Sequence, residues 1–470
     1  MKMYTQNARA GACGPSEAPE GSQAKPGRRA RASGGGAPRA LRNAVVASLA
    51  ATLTIAAQTP RTVVIRAARM LDPIAGRIVT NPTVVIVGDR IQSLGGSAPA
   101  GATTIDVGDL TLVPGLVDAH THNLLQPEDE VTPPVFTKSQ AYRAIEGVAA
   151  AKKNLEAGFT TMRDLDSEGA GFADVALRDA INKGVVPGPR LFVATYALTI
   201  TAGHMNLTGV NPDLTVPDPA TLTDSRDAMI AEIRREVKYG ADWIKLYATG
   251  TLRHVNRETL EPLPQVSLDD VKAVVAEAAR WRKDVAAHAY GGIGARNAVE
   301  GGVRSIEHGW ILDEDTLRLM VQKGTFWCPT LSVFRPEAGI GTPDEFSRRV
   351  VESHKRTFQA AMKAGVKIVF GTDVGGFPHG TNNREFSYMV EYGMTPLEAI
   401  RSATTRAAEL LRMDKDIGSI APGHYADIIA VQGDPLQNIE AIKNVRFVMK
   451  GGEVYVRPAG TSRSSPSQHD

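Results

Sequence analysis

Four histidines, a lysine and an aspartate stand where short apolar runs of the chain end. His120 and His122 close LVPGLVDAHTH, Lys245 lies in WIKLYA, His288 in DVAAHAY, His308 in RSIEHGW and Asp373 in KIVFGTD. In an extended strand, residues i and i+2 share a face, so His120 and His122 present two imidazoles side by side. Taken alone, such a pair is equally two polar residues closing a strand. Together with the others it describes a metal centre: imidazole and carboxylate suit zinc or a similar divalent ion, and two ions about 3.5 to 4 Å apart share a bridging hydroxide. A lysine ammonium has no lone pair for a metal. Lys245 joins such a centre if its amine has combined with carbon dioxide, giving a carbamate that bridges two cations; a lysine by itself would instead pair with a buried acid.

The elements that must position these residues are legible in the apolar pattern. Residues 62–112 read as short strands, TVVIRAARM, TVVIVGDRIQSLG and TTIDVGDLTLVPG, punctuated by turn residues. From Pro114 to about Leu411, apolar runs alternate with amphipathic helices: VDAHTH, TTMRDL, RLFVATY, WIKLYA, DVAAHAY, RSIEHGW, FWCPTLS and KIVFGTD, with helices expected over 139–157, 223–239, 268–282 and 347–364. Runs apolar on both faces and separated by helices predict an α/β fold, a (β/α)8 TIM barrel. The tail returns to β character in HYADIIAVQGDPLQNI and VRFVMKGGEVYV. It is expected to complete a small β-sandwich begun by the N-terminal strands. The expected organisation is a leader over 1–60, the β-sandwich over 61–113 and 413–457, the barrel over 114–412, and a flexible tail over 458–470. In a barrel, catalytic groups sit at the C-terminal ends of strands, where all six candidates fall.

The chain has 470 residues, 43% of them hydrophobic and 22% charged, with a formal net charge of +2. Near-balanced charge leaves no electrostatic footprint for nucleic acid and favours small-molecule partners. Residues 8–40 are rich in Ala, Gly, Pro and Arg without a hydrophobic period, and read as unfolded. Arg39 and Arg42 then precede a mostly apolar stretch over 44–57. That order predicts a secretory signal peptide, hence a secreted or periplasmic protein, with a cytoplasmic one as the alternative. The stretch is too short for a permanent membrane anchor. Arg28-Arg29 lacks the apolar run that a twin-arginine signal needs. The two cysteines, Cys13 and Cys328, form no disulfide framework, and Cys328 in TFWCPTLS is expected to be a buried apolar residue.

PGLVDAHTH, the lysine of WIKLYATG, the histidines of VAAHAYG and SIEHG, and the aspartate of VFGTD together resemble the amidohydrolase superfamily. FGTDVGGFPHG, EYGMTPLEAIRSATTRAAELL and GSIAPGHYADIIAVQGDPL are similar to its branch of imidazolonepropionase-like proteins, Xaa-Pro dipeptidases and ochratoxinase. The resemblance covers about residues 62–456. It implies that His120, His122 and Asp373 hold one metal, that His288 and His308 hold the other, and that Lys245, as N6-carboxylysine, bridges both. Zinc is the expected metal, although geometry also admits manganese, cobalt or iron. It further implies that Asp373 serves as general acid and base, and that His204, in ALTITAGHMN, contacts the substrate carbonyl or terminal carboxylate. Tyr247, two residues past Lys245 and on the same strand face, is a candidate for the same role or for packing in the barrel. His379, on the loop after the eighth run, is a further candidate substrate contact. Arg253 and His254 sit where this branch often has a glycine-rich substrate loop, here altered. Asp164 is expected to make a structural hydrogen bond, and His354 and His424 carry no chemistry. A homo-oligomer is also implied.

The expected activity is hydrolysis of an amide bond in an N-acyl amino acid or short peptide, ochratoxin-type amides included. Two alternatives stay open: a cyclic amide or lactone hydrolase, and a non-catalytic assembly scaffold, which would ordinarily have lost metal ligands.

Overall fold

The valine- and isoleucine-rich stretches after residue 61 fold as short strands, and turns split each expected run in two. The protein is described by a computed structural model covering residues 61–130, 132–335 and 344–458. The expected leader and signal peptide, and almost all of the expected tail, lie outside these residues. The first strands are β1 (Thr62–Arg66), β2 (Arg69–Asp72), β3 (Arg77–Thr80), β4 (Thr83–Val87), β5 (Arg90–Leu94), β6 (Thr103–Asp106) and β7 (Leu110–Pro114).

The chain then enters the barrel with β8 (Leu116–Thr121), β9 (Phe159–Asp164), β10 (Arg190–Val193), β11 (Ala197–Thr199), β12 (Thr221–Leu222), β13 (Trp243–Tyr247), β14 (Asp284–Gly291), β15 (Ser305–Ile311), β16 (Phe326–Cys328) and β17 (Lys367–Ile368). β8, β9 and β10 pair in parallel, as do β11 with β13 and then β13 through β17 in sequence. Backbone bonds join the two sheets: Asp242 N donates to Val193 O (2.7 Å), Ala119 N to Phe370 O (3.0 Å) and Asp373 N to His120 O (2.8 Å). The fold is a (β/α)8 barrel with a β-sandwich beside it. β8, β9 and β13 are buried along their whole length, as strands covered on both faces must be.

Helices fill the connections, each with its own start signal. Ser139, Ser225, Ser267 and Asp344 accept a backbone hydrogen bond at the first turns of Gln140–Glu156, Arg226–Tyr239, Leu268–Arg280 and Glu345–Ala364. The second of these begins three residues later than the apolar pattern suggested, because Ser225 rather than Thr223 is its cap. None of the described helices is long and apolar enough to cross a membrane.

The last strands, β18 (Ile428–Gln432), β19 (Val445–Lys450) and β20 (Glu453–Val456), return to the first module. One sheet runs β5-β4-β1-β6 and the other β20-β19-β18-β7-β2-β3, so N- and C-terminal segments share a sheet through the antiparallel β7–β18 pair. Val63, Ile65, Val84 and Ile86 belong to the same apolar core as Leu112, Ile428, Ala430 and Phe447. The period-two spacing of these residues is what puts them on one face of each sheet.

Candidate active site

The strand ends bring the polar residues into one place. His120 and His122 lie 5.4 Å apart by ring centroid on β8, His308 on β15 is 4.9 Å from His120, and His288 on β14 is 4.7 Å from His308. Asp373, just after β17, sets Oδ1 3.0 Å from His122 Nε2 and 3.4 Å from His120 Nε2, and Oδ2 3.8 Å from His308 Nδ1. Lys245, in the middle of β13, is buried and sends Nζ to 5.6 Å from the Tyr247 ring. All six residues line one cavity of about 740 Å³. His308 and Asp373 both adopt left-handed backbone conformations, at φ 72° and 63°. Such a conformation costs a non-glycine residue about 1 to 3 kcal/mol and tends to occur where geometry serves function.

A second ring of residues holds the imidazoles. His120 Nδ1 pairs with Glu307 Oε2 at 2.9 Å, His308 Nδ1 with Thr330 Oγ1 at 2.8 Å, and His122 Nδ1 lies 3.3 Å from Asp166 O and 3.4 Å from Glu168 Oε1. Glu307 in turn binds Arg163 Nη2 at 3.0 Å, and Arg163 Nε donates to Ala119 O at 2.6 Å. This engagement leaves the opposite nitrogens for the cavity. Nε2 of His120 and Nε2 of His288 are buried without a hydrogen-bond partner. Buried polar atoms are nearly always satisfied, so two orphaned imidazole lone pairs beside a carboxylate are what a cation site requires. Burial also pushes the pKa of both His120 and His288 well down, favouring the neutral form that ligates. For Asp373 burial alone would raise the pKa, but His120, His122 and His308 outweigh it and hold the carboxyl well below its usual range. His120, His308 and Asp373 also form a compact group of ligand atoms by themselves. The residues fit divalent metal.

His204 and Tyr247 both border this centre. The His204 ring lies 4.1 Å from His288 and 4.2 Å from Tyr247, and its Nδ1 is buried without a partner. Tyr247 donates its hydroxyl to Asp166 Oδ2 at 2.8 Å and also lines the cavity. His379 is not brought to the cavity: its Nε2 meets Leu125 O at 2.9 Å and its Nδ1 meets Asn154 at 3.2 Å, so both ring nitrogens are bound within the scaffold. Arg253 lines the cavity, whereas His254 turns back to accept from Thr251 N. Asp164 accepts from the backbone and side chain of Asn123, His354 packs beside Trp327 and Phe334, and Cys328 is buried.

Sequence reasoning passed over Glu307, Arg163, Asp166, Glu168 and Thr330. For the first two a signal existed. Arg163 and Glu307 are opposite charges placed inside otherwise apolar strand runs, and buried charges must find each other.

Comparison with known proteins bears on this geometry. The model of the "Amidohydrolase family" matches residues 111–455. Ochratoxinase of Aspergillus niger is 30% identical over 439 residues, covering 86% of this chain and 89% of that protein. A crystal structure of a Xaa-Pro dipeptidase with bound methionine in its active site superposes with a TM-score of 0.76 at 34% identity, covering 84% of this chain and all (100%) of that one. A prolidase complexed with N-methylphosphonate-L-proline does so with a TM-score of 0.74 at 31% identity, covering 84% and 100%.

Proposed function

The chain belongs to the amidohydrolase family and is a hydrolase of amide C–N bonds, and from that premise we propose that it cleaves N-acyl amino acids or short peptides at a two-metal centre. The observation that carries the reading is the pair of buried, unpartnered Nε2 atoms of His120 and His288, facing one cavity with His122, His308, Asp373 and Lys245. His120, His122 and Asp373 would hold one ion, His288 and His308 the other, and Lys245, carboxylated by carbon dioxide, would stand between them. Zinc suits the donor set best. When bound, such ions lower the pKa of a shared water and polarise a carbonyl.

The chain's own residues do the rest. Asp373 takes the proton of the attacking water on Oδ2, the oxygen that His122 does not engage, and delivers it to the departing amide nitrogen. His204, through its unpartnered Nδ1, and the Tyr247 hydroxyl orient the scissile carbonyl against that water. The names of the similar proteins, ochratoxinase and Xaa-Pro dipeptidase, favour acyclic amides beside a carboxylate over a ring amide or lactone. Six intact ligand positions weigh against a non-catalytic scaffold.

The test is hydrolysis of a panel of N-acyl amino acids by the zinc-loaded protein and its Asp373→Asn variant. The variant is expected to fold and to lose about 10²- to 10⁴-fold in kcat. Wild-type turnover in Asp373→Asn with full metal content would remove the general acid and base assigned here.

A further inference from the structure

The cavity carries a charge that the chemistry at the metal centre does not use. Among the residues lining it, only Lys245 and Arg253 are lysine or arginine. Lys245 is buried at the centre, whereas Arg253 is exposed and stands on the loop after β13. That loop is braced. Thr251 and His254 cap each other across the short turn Leu252–His254, and isolated bridges Thr249↔Pro264 and Val255↔Pro262 tie its two limbs together. Arg253 Nη1 donates to Thr208 Oγ1 at 2.9 Å, and Thr208 also lines the cavity. The guanidinium is thus held at the rim by a neutral hydroxyl, and no described carboxylate lies within ion-pair distance of it.

The acidic groups of the lining are already engaged. Asp129 pairs with Lys138 at 2.9 Å and Glu168 faces His122, both on other loops. Much of the remaining wall is apolar, with Leu125, Pro134, Phe136, Val210, Phe334 and Val350. A substrate that enters this space therefore meets a metal centre at the bottom, apolar walls, and one uncompensated cation at the rim.

We infer that Arg253 binds the free carboxylate of the substrate's C-terminal residue, so that the enzyme selects N-acyl amino acids and peptides with an unblocked C-terminus. This rests on the amide-hydrolase reading above. A guanidinium donates two parallel hydrogen bonds to a carboxylate, which fixes orientation as well as charge. Anchoring the carboxylate at Arg253 leaves the acyl group for the apolar wall and places the amide between them, over His204 and Tyr247.

The experiment compares N-acetyl-L-phenylalanine with its carboxamide, in two ways. Binding is measured by calorimetry in the Asp373→Asn background, where turnover does not interfere, and kcat/KM is measured with Asp373 intact. Both are repeated with Arg253→Met and Arg253→Lys, at equal metal content. The expected result is a preference for the free acid of about 10- to 100-fold, carried mainly by Kd and KM, erased by Arg253→Met and partly kept by Arg253→Lys. A preference that survives Arg253→Met, or no preference in the parent protein, overturns the assignment while leaving the amide-hydrolase reading intact. An Arg253-dependent binding preference without hydrolysis of either compound would support the anchor and overturn that reading instead.

Discussion

At the scale of single residues, the centre depends on groups that never touch the cavity. Glu307 grips His120 Nδ1 and is itself gripped by Arg163, all three fully buried. The arrangement turns Nε2 of His120 toward Asp373 and makes Glu307 a positioning residue. Glu307→Gln keeps the shape and an acceptor for Arg163 but offers His120 a neutral partner. It should weaken zinc binding by about 10- to 100-fold, read by competition with a chromophoric chelator, while the circular dichroism spectrum stays that of the parent. Unchanged zinc affinity would show that Glu307 is only a buried counter-ion for Arg163. The six strand-end candidates were legible because each polar residue interrupts an apolar run. Their supports were not, since Glu307 and His120 lie 187 residues apart and only the closed barrel brings them together. His379 illustrates the converse: its loop position suggested the cavity, but Asn154 and Leu125 claim its ring.

At the scale of elements, the barrel was legible as alternating runs and helices, yet two of its strands are irregular. RLFVATY is not one strand. It stops at Val193 and resumes at Ala197, because Thr195 takes a left-handed φ of 61° with its N–H given to Asp174. KIVFGTD is regular only over Lys367–Ile368, after which Asp118 accepts from the Thr372 backbone and hydroxyl and redirects the chain toward His120. Such side-chain contacts leave no period in a sequence. Gly371 makes this closure possible: a Cβ there would lie 2.2 Å from Cys328 Sγ and 3.0 Å from the backbone N of His120. Gly371→Ala should therefore lower stability by about 1 to 3 kcal/mol in chemical denaturation, and adding Cys328→Ala should recover part of it. Parent-like stability in Gly371→Ala would mean that β8 and the final run are not so closely packed.

At the scale of the whole molecule, the sandwich and the barrel are joined at a few polar points. Pro114 and Gly115 carry the chain from one to the other, and a Cβ at Gly115 would meet Thr160 Oγ1 at 2.2 Å. Asp427 accepts from Arg190 at 2.7 Å, and Lys450 on β19 donates to Gly188 O at 2.6 Å. Burial, helped by Arg190 and opposed by Asp427, brings the Lys450 amine down to about 8. An amine that gives up its proton more readily folded than unfolded destabilises the fold while charged. Stability should thus rise from pH 8 toward the unfolded pKa near 10.5, relative to Lys450→Met, by up to about 3 kcal/mol. Parallel pH profiles for the two proteins would show that Lys450 is solvated at the junction.

These scales meet in the claim that the barrel mouth is a two-metal amide hydrolase. The most direct measurement is a zinc titration of chelated protein in which bound metal, by elemental analysis, and hydrolysis of an N-acyl amino acid are followed in the same samples. The expected result is turnover that rises with metal and saturates at about two ions per chain. Full turnover with one ion or none, or fewer than one ion retained at saturation, would contradict it.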